Sequence, residues 1–330
     1  MKRILNHLLD HKMLLKEEAY DVLLNIGKGN YTNSQIAAFL TVYLMRPVSV
    51  DELAGFRDAL LDLCFRIDLK EFDTIDVCGT GGDGKNTFNI STLTAFVVAG
   101  TGYKVAKHGN YAVSSACGSS NVLEYLGCKF TNDNDQLRKQ IDKAGFCMIH
   151  APLFHPAMKN VAPVRKELGV KTFFNMLGPL VNPSFPQNQI IGVFNMELAR
   201  IYNYLFQKSD KNYRILYSLD GYDEISLTSP FKVISNNSEK LLFPEDIGVE
   251  MVGQEEIFGG NTIEEAAKIF LEIIKGDGTL AQNNVVAANA ALAIQCFEKE
   301  KSIFDCLEIA KESLASGKAY SSFKMLISQN

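Results

Sequence analysis

One stretch limits the possible folds more than any other. An apolar run, TIDV, meets a glycine-rich turn, CGTGGDG, and the chain then passes through KNTFNI into a helix-like run, STLTAFVVAG. A strand that turns through glycines into a helix is the start of a β–loop–α unit. The pattern recurs. YKVAKHG is followed by a polar loop and then SSNVLEYLG; DQLRKQIDKAG precedes FCMIH; QIIGVF precedes ELARIYNYLFQK; and YRILYSL follows that helix. Repeated alternation of strand and helix predicts a mainly parallel sheet flanked by helices. Ligands on such sheets bind beyond the carboxyl ends of the strands, where the polar loops fall here.

The flanking regions read differently. Residues 1 to about 66 are helical throughout. SVDELAGFRDALLDLCF opens with Ser49 and has Glu52 three residues on, a capping box, and Leu53, Phe56, Leu60 and Leu63 then recur at helical spacing. NSQIAAFLTVYLMRP begins after Thr32 and Asn33, either of which suits a cap, and ends before Pro47. Residues 229–259 look irregular or β. The last third is helical, with the alanine-rich run NNVVAANAALAIQCF. The shift near residue 70 predicts a small N-terminal helical domain followed by a larger α/β domain.

Composition excludes several classes. The 330 residues, 47% hydrophobic, supply ample core for one large domain or two of ordinary size. The formal net charge is -5, so a broad electrostatic surface for nucleic acid is not expected. The seven cysteines form no C-x-x-C pair, and their number is odd, which suits reduced core thiols in a cytoplasmic protein. MKRILNHLLDHKMLL is interrupted by Asp10, His11 and Lys12 and does not read as a signal peptide. No apolar run approaches the roughly 18 residues that a membrane span needs.

Four segments carry chemistry. In the first, Gly79, Gly81, Gly82 and Gly84 let a ligand approach the main chain, and Thr80, Thr87, Asn89, Ser91 and Thr92 add polar groups at a helix start. Unpaired N–H groups at the positive end of a helix dipole bind phosphate. The spacing is neither that of a P-loop nor of a dinucleotide fingerprint, and a structural turn is the plainer reading. Asp83 suits ribose hydroxyls or a metal ion. The second segment, KHGNYAVSSACGSSN, sets Lys107 against phosphate as a point charge, with Asn110, Ser114, Ser115 and Ser119 as further donors. His108 taken alone is more often a packed histidine than a catalyst. The third, residues 150–183, is rich in proline and glycine; its Arg165 is a surface arginine or a partner for a carboxylate. The fourth, DGYDEIS, clusters Asp220, Asp223 and Glu224 after a strand, as a solvated turn or an oxygen-ligand site for Mg²⁺.

Taken together, GTGGDGKNTFNIST, VAKHGN, VSSACGSSNVLEYLG, HPAMKNVAPVRKELGVKTFFNMLGPLVNP and GYDEIS resemble, in order and spacing, the anthranilate phosphoribosyltransferase family over nearly the whole chain. The resemblance implies a helical domain, residues 1–70, that dimerises and forms one wall of the active site, joined in space by helices from about 160–182. It implies an α/β domain, residues 71–330, carrying the substrate and metal sites. The implied reaction is displacement of pyrophosphate from phosphoribosyl pyrophosphate (PRPP) by the amine of anthranilate, in tryptophan biosynthesis. It implies a cytoplasmic homodimer using Mg²⁺, two ions per subunit, with no nucleic-acid or membrane partner. Residue by residue, Gly79, Gly82, Asp83, Thr87, Asn89, Ile90, Ser91 and Thr92 resemble the PRPP cradle, with Lys107, Ser115 and Ser119 as further contacts. Ser91, Asp223 and Glu224 resemble metal ligands. Gly79, His108, Asn110, His155, Arg165 and Gly178 resemble the anthranilate site, with Arg165 facing the carboxylate. No side chain stands out as an acid or base; Lys107, Asn110 and Arg165 act by positioning.

Three positions depart from the family pattern. Tyr111 stands where arginine is usual, Asn121 where an acid is usual, and Tyr222 gives GYDE in place of GLDE. None removes a residue assigned to the metal or to pyrophosphate. A pyrimidine nucleoside phosphorylase shares the implied fold, but its K-H-S-T-G-G-V-G-like loop is replaced here by CGTGGDG. A non-catalytic nucleic-acid-binding relative is expected to be basic and to lack the acidic pair that Asp223 and Glu224 supply.

Overall fold

The structure is a computed structural model and describes residues 1–112 and 117–329. The chain forms two compact units, one of residues 1–67 with 151–185 and the other of residues 68–150 with 186–330.

The first unit begins with four helices, α1 (Lys2–Leu9), α2 (Lys16–Gly27), α3 (Asn33–Met45) and α4 (Val50–Leu63). Thr32 caps α3, its hydroxyl accepting from the Gln35 N–H at 3.4 Å. At α4 the Ser49 Oγ accepts from Glu52 N–H (3.2 Å), and Glu52 Oε2 accepts from Ser49 N–H (2.9 Å), so each residue satisfies an end group of the other. Glu52 also does something that the capping pattern alone does not announce. It is fully buried and takes the Leu14 N–H, the Tyr43 hydroxyl and the Arg46 guanidinium. Apolar packing beside it comes from Phe39, Phe56 and Phe173, with Phe56 and Phe173 stacked at 4.4 Å.

The second unit opens with β1 (Thr74–Gly79), α5 (Ile90–Gly100), β2 (Lys104–Gly109), α6 (Ser119–Tyr125), α7 (Asn134–Ala144) and β3 (Phe146–His150). The chain then returns to the first unit for two short helices, α8 (Ala151–Phe154) and α9 (Ala162–Leu168), and three 3₁₀ turns. Prolines at 156, 163 and 179, each in the first turn of its element, keep these pieces short. The second unit resumes with β4 (Asn188–Gly192), α10 (Met196–Phe206), β5 (Asn212–Ser218), β6 (Phe231–Ser235) and β7 (Glu239–Leu242). It ends with α11 (Ile263–Ile274), α12 (Leu280–Ile294), α13 (Ile303–Ala315) and α14 (Lys318–Ser328).

The seven strands form one sheet in the order β3-β2-β1-β4-β5-β6-β7. The first five are parallel, and β6 and β7 add an antiparallel edge. Residues 229–259, expected to be irregular or β, supply that edge. The parallel strands read as continuous apolar runs because helices cover their faces. Helix α5 is buried along most of its length, and Phe96 from it stacks on Phe146 of β3 at 4.3 Å. The alanines of α12 leave room for close packing, and nearly all of that helix is buried. Six of the seven cysteines are buried free thiols and Cys64 is half-buried. Among the described residues, no helix is long and apolar enough to cross a membrane.

Candidate functional site

The glycine loop leaves β1 at Gly79 and is closed over by the segment that follows β5. Gly79 and Gly192 are paired at the ends of β1 and β4, the point where the strand order reverses. Asp223 crosses above both. A Cβ on Gly79 would lie 2.4 Å from Asp223 Oδ2, so neither strand end tolerates a side chain there. The Gly81 N–H donates to Asp223 Oδ2 (2.6 Å) and the Thr80 N–H to the Gly192 carbonyl (2.9 Å). Gly81, Gly82 and Gly84 all have positive φ, the backbone turn that glycine adopts without strain. The Asp83 carboxylate accepts from the Lys85 N–H (3.0 Å), and the Lys85 ammonium lies 4.5 Å from the centre of the Tyr222 ring. Thr87 bridges to Phe258, which ties the far end of the loop to the body of the unit.

Asn89 precedes α5 and makes no side-chain capping bond; its amide instead donates to the Cys117 carbonyl (3.1 Å). Ile90 and Thr92 are buried, while Ser91 faces the loop. Lys107 is 2% exposed. Its ammonium donates to the Val77 carbonyl and to Ser91 Oγ (3.1 Å). The structure therefore brings together Gly79, Asp83, Ser91, Lys107, Asp223 and Glu224. Ser115 lies outside the described residues. Ser119 opens α6 and donates to the Asn110 carbonyl (3.3 Å), while Asn110 Oδ1 accepts from the Tyr111 N–H (2.8 Å). His108 is buried in β2, and its N–H donates to Asp76 Oδ1 (3.0 Å).

The acidic pair is electrostatically uncomfortable without a cation. Burial, then the neighbouring Glu224 and Asp83 charges, push the Asp223 carboxyl well above the usual carboxylate range, against the Gly81 N–H. Burial also pushes Glu224 up, to about 7, although the Lys107 ammonium and the hydroxyl and N–H of Ser91 favour its ionised form. A buried and a half-buried carboxylate with a serine hydroxyl make an oxygen donor set that suits Mg²⁺, which keeps waters and takes its other ligands from substrate phosphates. Among the described residues, no group of three or more His, Cys, Asp or Glu is placed to hold a metal ion. Asp220 is not part of the set. Its oxygens are taken by the Thr228 and Ser229 hydroxyls at 2.5 and 2.7 Å.

His155, Arg165 and Gly178 belong to the first unit. Arg165 lies on α9, donates to Asn175 Oδ1 (3.2 Å) and sits 5.4 Å from the centre of the Phe174 ring. Burial pushes its guanidinium below the ordinary value, the signature of a cation held out of water. His155 is buried just before the first 3₁₀ turn, and Gly178 begins the third. Reasoning from sequence missed Gly192 and Asp76 as parts of the site. The signals were a glycine closing an apolar strand and a lone acid inside one.

Residues 71–320 match the model of the glycosyl transferase family a/b domain, and residues 2–64 that of the glycosyl transferase family helical bundle domain. The anthranilate phosphoribosyltransferase of Flavobacterium johnsoniae is 63% identical over 326 residues, covering 99% of this chain and 98% of that one. That of Bacteroides fragilis is 52% identical over the full length of both. Among solved structures, the Thermus thermophilus anthranilate phosphoribosyltransferase superposes with a TM-score of 0.92 at 32% identity, covering 98% of each chain. The Saccharomyces cerevisiae enzyme in complex with PRPP and Mg gives 0.91 at 29% identity, covering 98% of this chain and 96% of that one.

Proposed function

The chain belongs to the anthranilate phosphoribosyltransferase family of glycosyl transferases, and from that premise we propose how its own residues perform the family's reaction. The reaction transfers the phosphoribosyl group of PRPP to the amine of anthranilate, releasing pyrophosphate, in tryptophan biosynthesis. The relatives favour this over nucleoside phosphorolysis or nucleic-acid binding.

The observation that carries the residue-level reading is the convergence of the glycine loop, the buried Lys107, Ser91 and the Asp223–Glu224 pair in one place. Gly79, Gly82 and the start of α5 offer backbone to the pyrophosphate of PRPP, with Asp83, Thr87, Asn89 and Ser119 as polar neighbours. Lys107 places a fixed positive charge beside Ser91. Ser91, Asp223 and Glu224 would hold Mg²⁺, and a bound ion supplies charge that stabilises the departing pyrophosphate. We assign two ions per subunit, a stoichiometry that metal titration tests. Mg accompanies PRPP in the yeast relative.

The anthranilate carboxylate pairs with Arg165, whose planar fork matches it. We assign His155 and Gly178, and separately His108 and Asn110, to anthranilate as well; in the yeast relative an anthranilate analogue, 4-fluoroanthranilate, is bound. The ribose carbon gains oxocarbenium character as pyrophosphate leaves. An aromatic amine needs orientation more than deprotonation, so positioning and electrostatics suffice. Loss of anthranilate fluorescence that requires both PRPP and Mg²⁺ is the expected result; no loss under any metal condition sinks the reading.

The exposed Leu9, Met13, Leu15, Leu44 and Met45 of the first unit support a homodimer formed through the helical domain, which sedimentation equilibrium tests. The free thiols support a reducing cytoplasmic location, which cell fractionation tests.

A further inference from the structure

Strands β1 and β2 are neighbours in the sheet. Their backbone register covers only Thr74↔Lys104 and Ile75↔Val105. Beyond those pairs, β1 continues on β4 as far as Gly79, and β2 continues on β3 as far as Gly109.

Side chains also link the two strands beyond those register pairs. From β1, Asp76 Oδ1 accepts the His108 N–H at 3.0 Å. From β2, the Lys107 ammonium reaches the Val77 carbonyl and continues to Ser91 Oγ at 3.1 Å. Asp76 is fully buried, and its second oxygen takes the Cys78 thiol at 3.7 Å. A lone carboxylate inside an apolar strand is costly unless its oxygens are satisfied, and here it is satisfied by the backbone of the next strand.

We infer that Asp76 is a positioning residue: the length of its side chain sets the gap between β1 and β2, and so fixes Lys107 against Ser91. The inference rests on the reading of Lys107 and Ser91 as PRPP contacts. It needs Asp76 as an acceptor of fixed reach and not as a charge, because the group it holds is a backbone N–H. Asparagine keeps that acceptor at the same reach. Alanine removes it, and glutamate moves it outward by one methylene.

The test is steady-state kinetics with PRPP varied, together with thermal unfolding of the PRPP-free protein. An error of about 1 Å at a site of this kind costs about 100-fold, so Asp76→Ala and Asp76→Glu should raise KM for PRPP by at least about tenfold. Asp76→Asn should return it to within about threefold of the parent, a rescue that lost charge does not predict. If Asp76→Ala fails to fold, the Asn–Glu comparison decides. An unchanged KM for PRPP in Asp76→Glu, or failure of Asp76→Asn to rescue, overturns the inference. Lys107→Met separates the two levels. If it too leaves KM for PRPP unchanged, the PRPP reading of Lys107 fails; if it raises KM while the Asp76 variants do not, only the role of Asp76 fails.

Discussion

Gly192 lies so close beneath Asp223 that a Cβ on it would stand 1.4 Å from the Asp223 carbonyl oxygen. The contact is backbone, so no rotamer change relieves it. Gly192→Ala must lift the Asp223–Glu224 segment or push β4 out of the sheet. Overpacking at such a point costs roughly 1–3 kcal/mol or more. The expected phenotype is a lower unfolding midpoint together with a much higher Mg²⁺ requirement. Unchanged Mg²⁺ dependence in a folded Gly192→Ala variant would show that the segment above it does not hold the ion.

With Glu224 as a metal ligand, metal binding should depend on pH near neutrality. Its carboxyl is pushed up to about 7, chiefly by burial, so below that pH an incoming cation must displace a proton. The Mg²⁺ concentration for half-maximal rate should therefore rise as pH falls from 8 to 6. Stability of the metal-free protein runs the other way. A carboxyl whose folded pKa lies above its unfolded value favours the folded state at low pH. That contribution is lost as pH rises from the unfolded value of 4.5 to about 7. Added Mg²⁺ should stabilise the protein most above pH 7, and thermal unfolding at three pH values with and without the ion checks both signs.

What was legible in the sequence follows from what is local. Ser49 and Glu52 announced α4 because a capping box involves residues three apart. TIDV, QIIGVF and YRILYSL announced strands because helices covering a parallel sheet leave its strands mostly apolar. The glycine loop suggested phosphate binding or a structural turn, and its partners were legible only as a family pattern. Long-range contacts were not legible. Nothing near Gly192 in the chain says that Asp223 will cross it, and nothing near Asp76 says that the His108 N–H of the next strand will meet it. The same is true of Glu52, whose local signature describes a helix cap while its other partners, Leu14 and Tyr43, lie well before it.

That hidden role of Glu52 carries its own prediction. Burial opposes its charge, but the Arg46 guanidinium and the N–H groups of Leu14 and Ser49 outweigh burial and hold the carboxyl below its ordinary value. A depressed pKa contributes stability above the unfolded value, and that stability is lost as pH falls through the folded one. Glu52→Ala leaves the partly buried Arg46 without its carboxylate, and breaking a buried pair costs roughly 3–5 kcal/mol. Glu52→Gln keeps acceptor and shape and should lose less. A melting temperature that is unmoved in Glu52→Ala removes the argument.

Arg165 tests the anthranilate side separately from the PRPP side. A guanidinium whose charge burial disfavours gains most from a carboxylate partner. Arg165→Ala should raise KM for anthranilate by about 10- to 100-fold, the range of a lost charge-assisted bond of roughly 1.5–3 kcal/mol, with a much smaller effect on KM for PRPP. Arg165→Lys keeps the charge but not the fork and should recover only part of the loss. Equal effects on both substrates would point to a general distortion of the first unit.

Tyr111 occupies a position where the family usually has arginine, and its contacts show how this chain manages without that charge. The ring meets His150 edge-on at 4.9 Å, and His150 in turn stacks on Phe130 at 4.4 Å. The hydroxyl donates to Glu124 at 3.1 Å, and the Tyr111 N–H holds Asn110 Oδ1. The neighbouring departure fits the same pattern. Asn121 Oδ1 accepts the N–H groups of Ala112 (2.9 Å) and Gly118 (3.1 Å), two acceptor contacts that a carboxylate oxygen would also make. Tyrosine thus ties the loop through packing and a hydrogen bond, where arginine would do so through charge. Tyr111→Arg keeps a partner in Glu124, so activity should stay within about threefold and stability within about 1 kcal/mol, as expected for a half-exposed site. Tyr111→Glu sets two like charges side by side and removes the ring, so KM for anthranilate should rise through the displaced Asn110. If Tyr111→Arg is instead as damaging as Tyr111→Glu, the edge-on ring contact with His150 is what holds Asn110, and the hydroxyl contact to Glu124 is incidental.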